Sequence, residues 1–157
     1  MGKKIIGMDV GGTTFSSALF DENLNLLASS DKRLISEIDS TSSLIDELSS
    51  QINSLSNSQI DGVGVSCPGP LDSKSGTILE TPNLKLLQNV NLKRELEKRC
   101  SADVYIENDA NLFTLGEWHQ RKEASSVFAG VTLGTGLGFG LIINDSLYTG
   151  AHGLATE

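Results

Sequence analysis

Basic residues, cysteine, histidine and aromatics are all scarce in this chain, and each scarcity removes a class of function. Twelve Lys and Arg against twenty Asp and Glu leave a net charge of −8. That balance argues against nucleic acid or an anionic membrane as partner, while an acidic protein can still hold a locally positive phosphate site. Cys67 and Cys100 are the only two cysteines and lie in unlike contexts, so two buried free thiols are expected rather than a disulfide framework. Two histidines and two cysteines fall at no metal-ligand spacing, so no protein-held zinc is visible. There is no long apolar run and no charged-then-apolar leader at Met1 to Lys4. The expectation is a cytoplasmic protein with no membrane span. At 157 residues and 38% hydrophobic the chain can bury a core, as one domain or a domain plus a piece of a second.

Glycine, by contrast, is abundant, and the stretch Asp9-Val10-Gly11-Gly12-Thr13-Thr14 organises the rest. Ile5-Ile6-Gly7-Met8 precedes it and Phe15 to Phe20 follows. It therefore reads as the tight turn of a β-hairpin, with its glycines in conformations other residues avoid. Gly11 and Gly12 would let backbone N–H groups and the Thr13 and Thr14 hydroxyls approach an anion closely. Asp9 beside the same mouth would repel a bare phosphate, so the combination suits a magnesium nucleotide, with Asp9 reaching Mg²⁺ through a bound water. Thr13 stands where a Walker A loop needs lysine, and a strand follows where both that loop and the Rossmann motif need a helix. A plain hairpin turn is the alternative reading.

Further along, Leu24 to Ala28 predicts a third antiparallel strand, with Asp31-Lys32-Arg33 ending the meander. Leu44, Ile45, Leu48, Ile52 and Leu55 share one face of a helix over 41–55. A strand over 60–66, light in side-chain bulk, suggests close approach of another backbone or a ligand. It runs into the rigid loop Cys67-Pro68-Gly69-Pro70, of a kind that forms one wall of a ligand crevice. Asn83, in Thr81-Pro82-Asn83-Leu84, offers donor and acceptor to a hydroxyl-rich ligand, or is a turn former after proline. A helix capped by Asn91 is predicted over 92–100. A strand over 103–107 then turns through Asn108-Asp109-Ala110-Asn111 into a helix ending near Lys122. Asp109 at that junction suits a general base for a hydroxyl nucleophile; equally, Asn108, Asp109 or Asn111 caps the helix.

The first corner recurs. Laying Gly134 on Gly11 puts Leu133 on Val10, Leu141-Ile142-Ile143 on Ala18-Leu19-Phe20, and the turn Asn144 to Leu147 on Asp21 to Leu24. Two matched corners facing each other could hold a triphosphate from both sides. This arrangement resembles the actin, hexokinase and Hsp70 superfamily, and within it the ROK family of sugar kinases and repressors. The likeness is carried by Asp9 to Thr14, Cys67 to Pro70, Thr81 to Leu84, Glu107 to Asn111, Leu133 to Gly138 and Gly150 to Glu157.

The resemblance implies an α/β actin-like ATPase lobe of the ribonuclease H-like kind, with a mixed five-stranded sheet and flanking helices. That lobe would span residues 1–122, and residues 123–157 would be the opening β-hairpin of a second. It implies ATP-dependent phosphorylation of a hexose or amino sugar. Asp109 would be the catalytic base, and Gly69, Asn83, Asn108 and Glu157 would face the sugar. Asp9, Gly11, Gly12, Thr13, Thr14, Gly134, Thr135 and Gly136 would face ATP and Mg²⁺. Thr156 stands where the family more often has glycine, which weakens the case for Glu157. The family's zinc loop and adenosine-binding segment would follow Glu157, so this stretch is expected to be the inert N-terminal portion of a kinase. Its second hairpin would expose apolar strand edges, and a homo-oligomer is expected. The alternatives are a non-catalytic sugar- or nucleotide-binding piece, or part of a repressor, for which the chain ahead of Asp9 leaves no room for a DNA-binding helix-turn-helix.

Overall fold

Alternation of buried and half-exposed residues, with a period of two, runs through four strands and sets the sheet's two faces. The computed structural model describes residues 2–121, 125–134, 136–150, 153 and 155. In chain order the elements begin with β1 (Lys4–Val10), β2 (Thr14–Asp21), β3 (Leu26–Ser29), β4 (Arg33–Leu34), α1 (Thr41–Ser54) and β5 (Gly62–Cys67). They continue with β6 (Leu71–Asp72), β7 (Thr77–Ile78), β8 (Val90–Asn91), α2 (Leu92–Cys100), β9 (Val104–Asn108) and α3 (Asp109–Arg121). Last come β10 (Val127–Leu133), β11 (Leu137–Ile143) and β12 (Ser146–Leu147).

The main sheet runs β3-β2-β1-β5-β9, with β4 also paired to β2. β1 pairs antiparallel with β2 but parallel with β5, and β5 parallel with β9. The meander therefore does not end at Asp31-Lys32-Arg33. Arg33 and Leu34 return to pair with Phe15 and Thr14, which adds a sixth, very short strand to the five expected. One face presents Ile6, Met8, Val10, Phe15, Leu19, Val63, Val65, Val104 and Ile106, all buried in a single core with Leu44, Leu48 and Ile52 of α1 and Leu92 and Leu96 of α2. Burying each such side chain contributes about 1.5–3 kcal/mol.

Both helices start at side-chain caps. Ser40 accepts from the Ser43 N–H, and Asn91 from that of Arg94 at 2.9 Å. α2 stops at Ser101, whose φ of 51° is left-handed. Cys67 and Cys100 are both buried free thiols.

The opposite face of the sheet is made of small residues, among them Gly7, Ser16, Ala18, Gly64 and Ser66, which line a groove beside Leu112. Of the two approaches expected over 60–66, that of another backbone does not occur among the described residues. A Cβ built on Gly64 meets nothing within 4 Å, and one on Gly62 only the Asp103 carbonyl at 3.8 Å.

β10, β11 and β12 form a separate sheet, and α3 packs chiefly against β10 and β11. The hairpin's outer side leaves Val127, Val131, Leu133 and Leu137 exposed. The repeat is real but slips by one residue at its corner. Val10 pairs with Phe15, whereas Leu133 pairs with Leu137. Residues 11–14 thus close the first turn and only 134–136 the second, so Gly140, not Leu141, is the counterpart of Ala18. Among the described residues no helix is long and apolar enough to cross a membrane.

Leu48 is fully buried in α1, and Leu48→Ala is expected to cost about 2–5 kcal/mol. Thr81 has a buried Oγ1 with no hydrogen-bond partner among the described residues, so Thr81→Val, which keeps the shape and drops the orphan hydroxyl, is expected to hold or raise stability. Urea denaturation of both variants checks the pair.

Candidate functional site

A cleft of about 560 Å³ opens where β1 turns into β2, where β5 and β9 end, and where β10 turns into β11. It is lined by Gly12 and Thr13, Pro68 and Gly69, Asn83, Asn108 to Ala110, Thr132 to Gly134, and Gly136 to Phe139. Eight of the expected site residues therefore meet in one place: Gly12, Thr13, Gly69, Asn83, Asn108, Asp109, Gly134 and Gly136. Gly11 and Thr14 lie one position back in the first hairpin, and neither lines the cleft. Asp9 lines the neighbouring small-residue groove instead. Thr135 and Glu157 lie outside the described residues. Thr132, Gly138 and Phe139 belong to the lining as well. Their signal was the strand flanking the second corner, read as a copy of the first hairpin rather than as cleft wall.

The corners are not built as expected. Neither Gly11 nor Gly12 has a positive φ. What Gly12 supplies is room, because a Cβ there would lie 2.8 Å from the Asn83 carbonyl oxygen. The first corner is thus pressed directly onto the Asn83 turn. The Gly11 N–H is committed to the turn itself, donating to the Thr14 carbonyl at 2.9 Å, and Gly134 repeats this with Gly136 at 3.0 Å. Donors for an anion must therefore come from later in each corner. Cβ atoms built on Gly134 and Gly136 meet nothing within 4 Å, so in that corner the bare backbone faces open cleft.

Capping of α3 falls to Asn108. Its Oδ1 accepts from the N–H groups of Ala110 at 2.9 Å and Asn111 at 3.2 Å. Glu107 braces the junction, accepting at Oε1 from the Asn108 N–H and the buried Asn111 amide. Asp109 is left at the cleft mouth with Oδ1 accepting from the Ala110 N–H at 2.8 Å. Its carboxyl is held above the ordinary carboxylate range by desolvation and then by the charge of Asp9, with the Ala110 bond opposing. Beneath the cleft the Cys67 thiol is pushed up to about 12 by burial and then by Asp109 and Asp9, so it is no nucleophile. No Lys or Arg is among the described lining residues. A polyanion here would be met by backbone donors, a helix N-terminus and whatever cation it brings.

An open mixed sheet with a glycine-cornered hairpin on each side of a cleft is the actin-like ATPase fold, and solved ROK kinase structures share it. A ROK glucokinase from Streptomyces griseus, in complex with glucose and AMPPNP, matches with a TM-score of 0.85 at 31% identity, covering 98% of this chain and 49% of that one. The ROK family profile matches residues 5–157, and the chain belongs to that family. It is 35% identical over 156 residues to the glucokinase of Thermotoga maritima, covering 98% of this chain and 49% of the relative. It is 32% identical over 158 residues to the N-acetyl-D-glucosamine kinase of Histophilus somni, covering 96% and 50%. Repressors are relatives too: the xylose repressor of Caldicellulosiruptor bescii is 32% identical over 164 residues, covering 98% and 40%. The chain spans about half the length of the curated kinases it matches.

A carboxyl whose folded-state pKa lies above its unfolded value favours folding most when protonated. Its ionisation therefore costs stability as pH rises through the folded value. Asp109→Asn keeps an acceptor for the Ala110 N–H and removes that cost. It is expected to raise Tm at neutral pH, with the gain disappearing below the ordinary carboxylate range. Thermal melts across that pH span check the sign.

Proposed function

We propose that the whole protein transfers the γ-phosphoryl group of ATP to a hydroxyl of a hexose or amino sugar. In this reading residues 1–122 form the first lobe and supply the base, and residues 123–157 begin the second lobe. The observation that carries the reading is Asp109. It stands on the first turn of α3 in a cleft walled by both glycine corners, with its carboxyl raised by desolvation and by Asp9. Relatives that are glucokinases and N-acetyl-D-glucosamine kinases support a sugar as acceptor.

The cleft suits a metal nucleotide better than free phosphate. It offers backbone donors and no basic side chain among its described lining residues, while burial and then the nearby charge of Asp9 raise the Asp109 carboxyl. MgATP would supply the phosphoryl group and the cation that offsets its charge. Gly12, Thr13, Thr135 and Gly136 would hold the phosphates, Gly134 would leave room for them beside its bare backbone, and Asp9 would reach the metal through water. Asn83, Asn108, Gly69 and Glu157 would orient the sugar.

Asp109 accepts the proton of the attacking hydroxyl, and a raised pKa makes it the stronger base for that step. Asn108 holds its oxygen on α3, which fixes the helix start and hence the carboxylate. Positioning between two walls supplies much of the rate. ATP as donor sets the activity in the cytoplasm.

In the intact protein Asp109→Asn is expected to lower turnover by about 10²- to 10⁴-fold, with nucleotide affinity little changed. A coupled ADP-release assay with glucose and with N-acetyl-D-glucosamine, beside calorimetry with MgATP, measures both. Normal turnover in that variant would remove Asp109 from the mechanism. The repressor relative favours a second reading, in which the cleft binds sugar without phosphate transfer. Sugar binding by the unaltered protein with no ADP release under any of these conditions selects it.

A further inference from the structure

α3 carries more than the base at its first residue. One turn further on, Ala110 and Thr114 lie on the side of the helix that meets the second hairpin. Thr114 is fully buried and its hydroxyl donates to the Ala110 carbonyl at 2.8 Å, which holds the side chain in one orientation. Directly opposite stand Gly130 and Gly140, paired across β10 and β11. A Cβ built on either would lie 2.2 Å from Thr114 Oγ1. At the next step toward the corner, a Cβ on Gly138 would lie 2.8 Å from the Ala110 Cβ.

None of these three glycines has a positive φ. Conformation does not call for them; contact does. In the first hairpin the corresponding pair is Gly7 opposite Ala18. There a Cβ on Gly7 would make only an ordinary contact with the Phe20 ring at 3.5 Å. The double glycine belongs to the hairpin that receives a helix.

We propose that Thr114 is a positioning residue, seated between Gly130 and Gly140 so as to set the distance from Asp109 to the second glycine corner. This rests on the kinase reading above. Asp109 and Thr114 share one rigid helix, and Gly130 and the corner at Gly134 share one strand. A shift at the seat therefore moves the corner relative to the base, while Asn83 and Asn108 stay where they are.

The test uses the full-length protein with Gly130→Ala, alone and combined with Thr114→Ala. The single variant sets a methyl against the Thr114 hydroxyl and displaces the hairpin by roughly 1 Å, and misplacement of that size costs about 100-fold in rate. The expected result is that loss in kcat with sugar KM unchanged, and partial recovery in the double variant, which lacks the hydroxyl and its neighbouring methyl but keeps a Cβ 2.8 Å from the new methyl. Trp118, the single tryptophan, lies one turn past Thr114 on the same side of α3. Its emission is expected to shift red in Gly130→Ala and return in the double variant.

A kcat equal to that of the unaltered protein in Gly130→Ala, or no recovery in the double variant, overturns the proposal. If the unaltered protein transfers no phosphate, the kinase reading fails, and the emission decides the seat: an unshifted Trp118 overturns it. If Gly130→Ala does not fold, Thr114→Ser answers in its place. It loses only the methyl that faces Gly130, so kcat is expected to fall severalfold at constant sugar KM, and an unchanged kcat overturns the proposal.

Discussion

The structure depends on one side chain at the end of β9. Asn108 Oδ1 takes the N–H groups of Ala110 and Asn111, the second and third of α3, and so converts a strand into a helix within a single residue. Without an acceptor there, the Asn111 N–H would need water at a half-buried junction, and Asp109 alone would be left to hold the Ala110 N–H. Because the helix begins at once, Asp109 is held on a rigid first turn at the carboxyl edge of the parallel strands, the edge where open α/β sheets bind ligands. Everything downstream inherits that start, including the side of α3 that meets the second hairpin.

The acidity of the molecule takes on a local meaning at this edge. The charge of Asp9 adds to burial in raising the Asp109 carboxyl, and the buried Cys67 thiol registers both carboxylates. A cleft lined by Asp109, with Asp9 in the adjoining groove and no cationic side chain among the described lining residues, disfavours a bare polyanion. In the proposed kinase reading the polyanion would bring its own metal to offset that charge. The raised carboxyl of Asp109 is a stability cost kept where chemistry can use it.

Glycine serves this chain mainly by being small. Gly12 admits the Asn83 carbonyl, Gly130 and Gly140 admit Thr114, and Gly134 and Gly136 leave bare backbone toward the cleft. Left-handed glycine φ occurs elsewhere among the described residues, at Gly76, Gly150 and Gly153. A reading of glycine as turn conformation finds the corners correctly but assigns them the wrong cause. Close approach depends on what comes from distant sequence: Asn83 lies far from Gly12, and Thr114 far from Gly140.

Much was legible in the sequence because it rests on local physics. The period-two strands, the apolar face of α1 from Leu44 to Ile52, the Asn91 cap of α2 and the repeated glycine corner each reflect neighbouring residues, and the family follows from their order. The register of the repeat did not, because one residue fewer in the second turn leaves the apolar pattern readable in either frame. Nor could sequence choose between Asn108 and Asp109 as the cap, since both are good acceptors and only the path of the chain decides which one turns back onto the helix. The tertiary structure alone brought Gly12 against Asn83, set Asp9 in the adjoining groove rather than the cleft, and seated Thr114 between two glycines. Those contacts join segments with no sequence relation to one another, and they are set by how the sheet, α3 and the second hairpin pack.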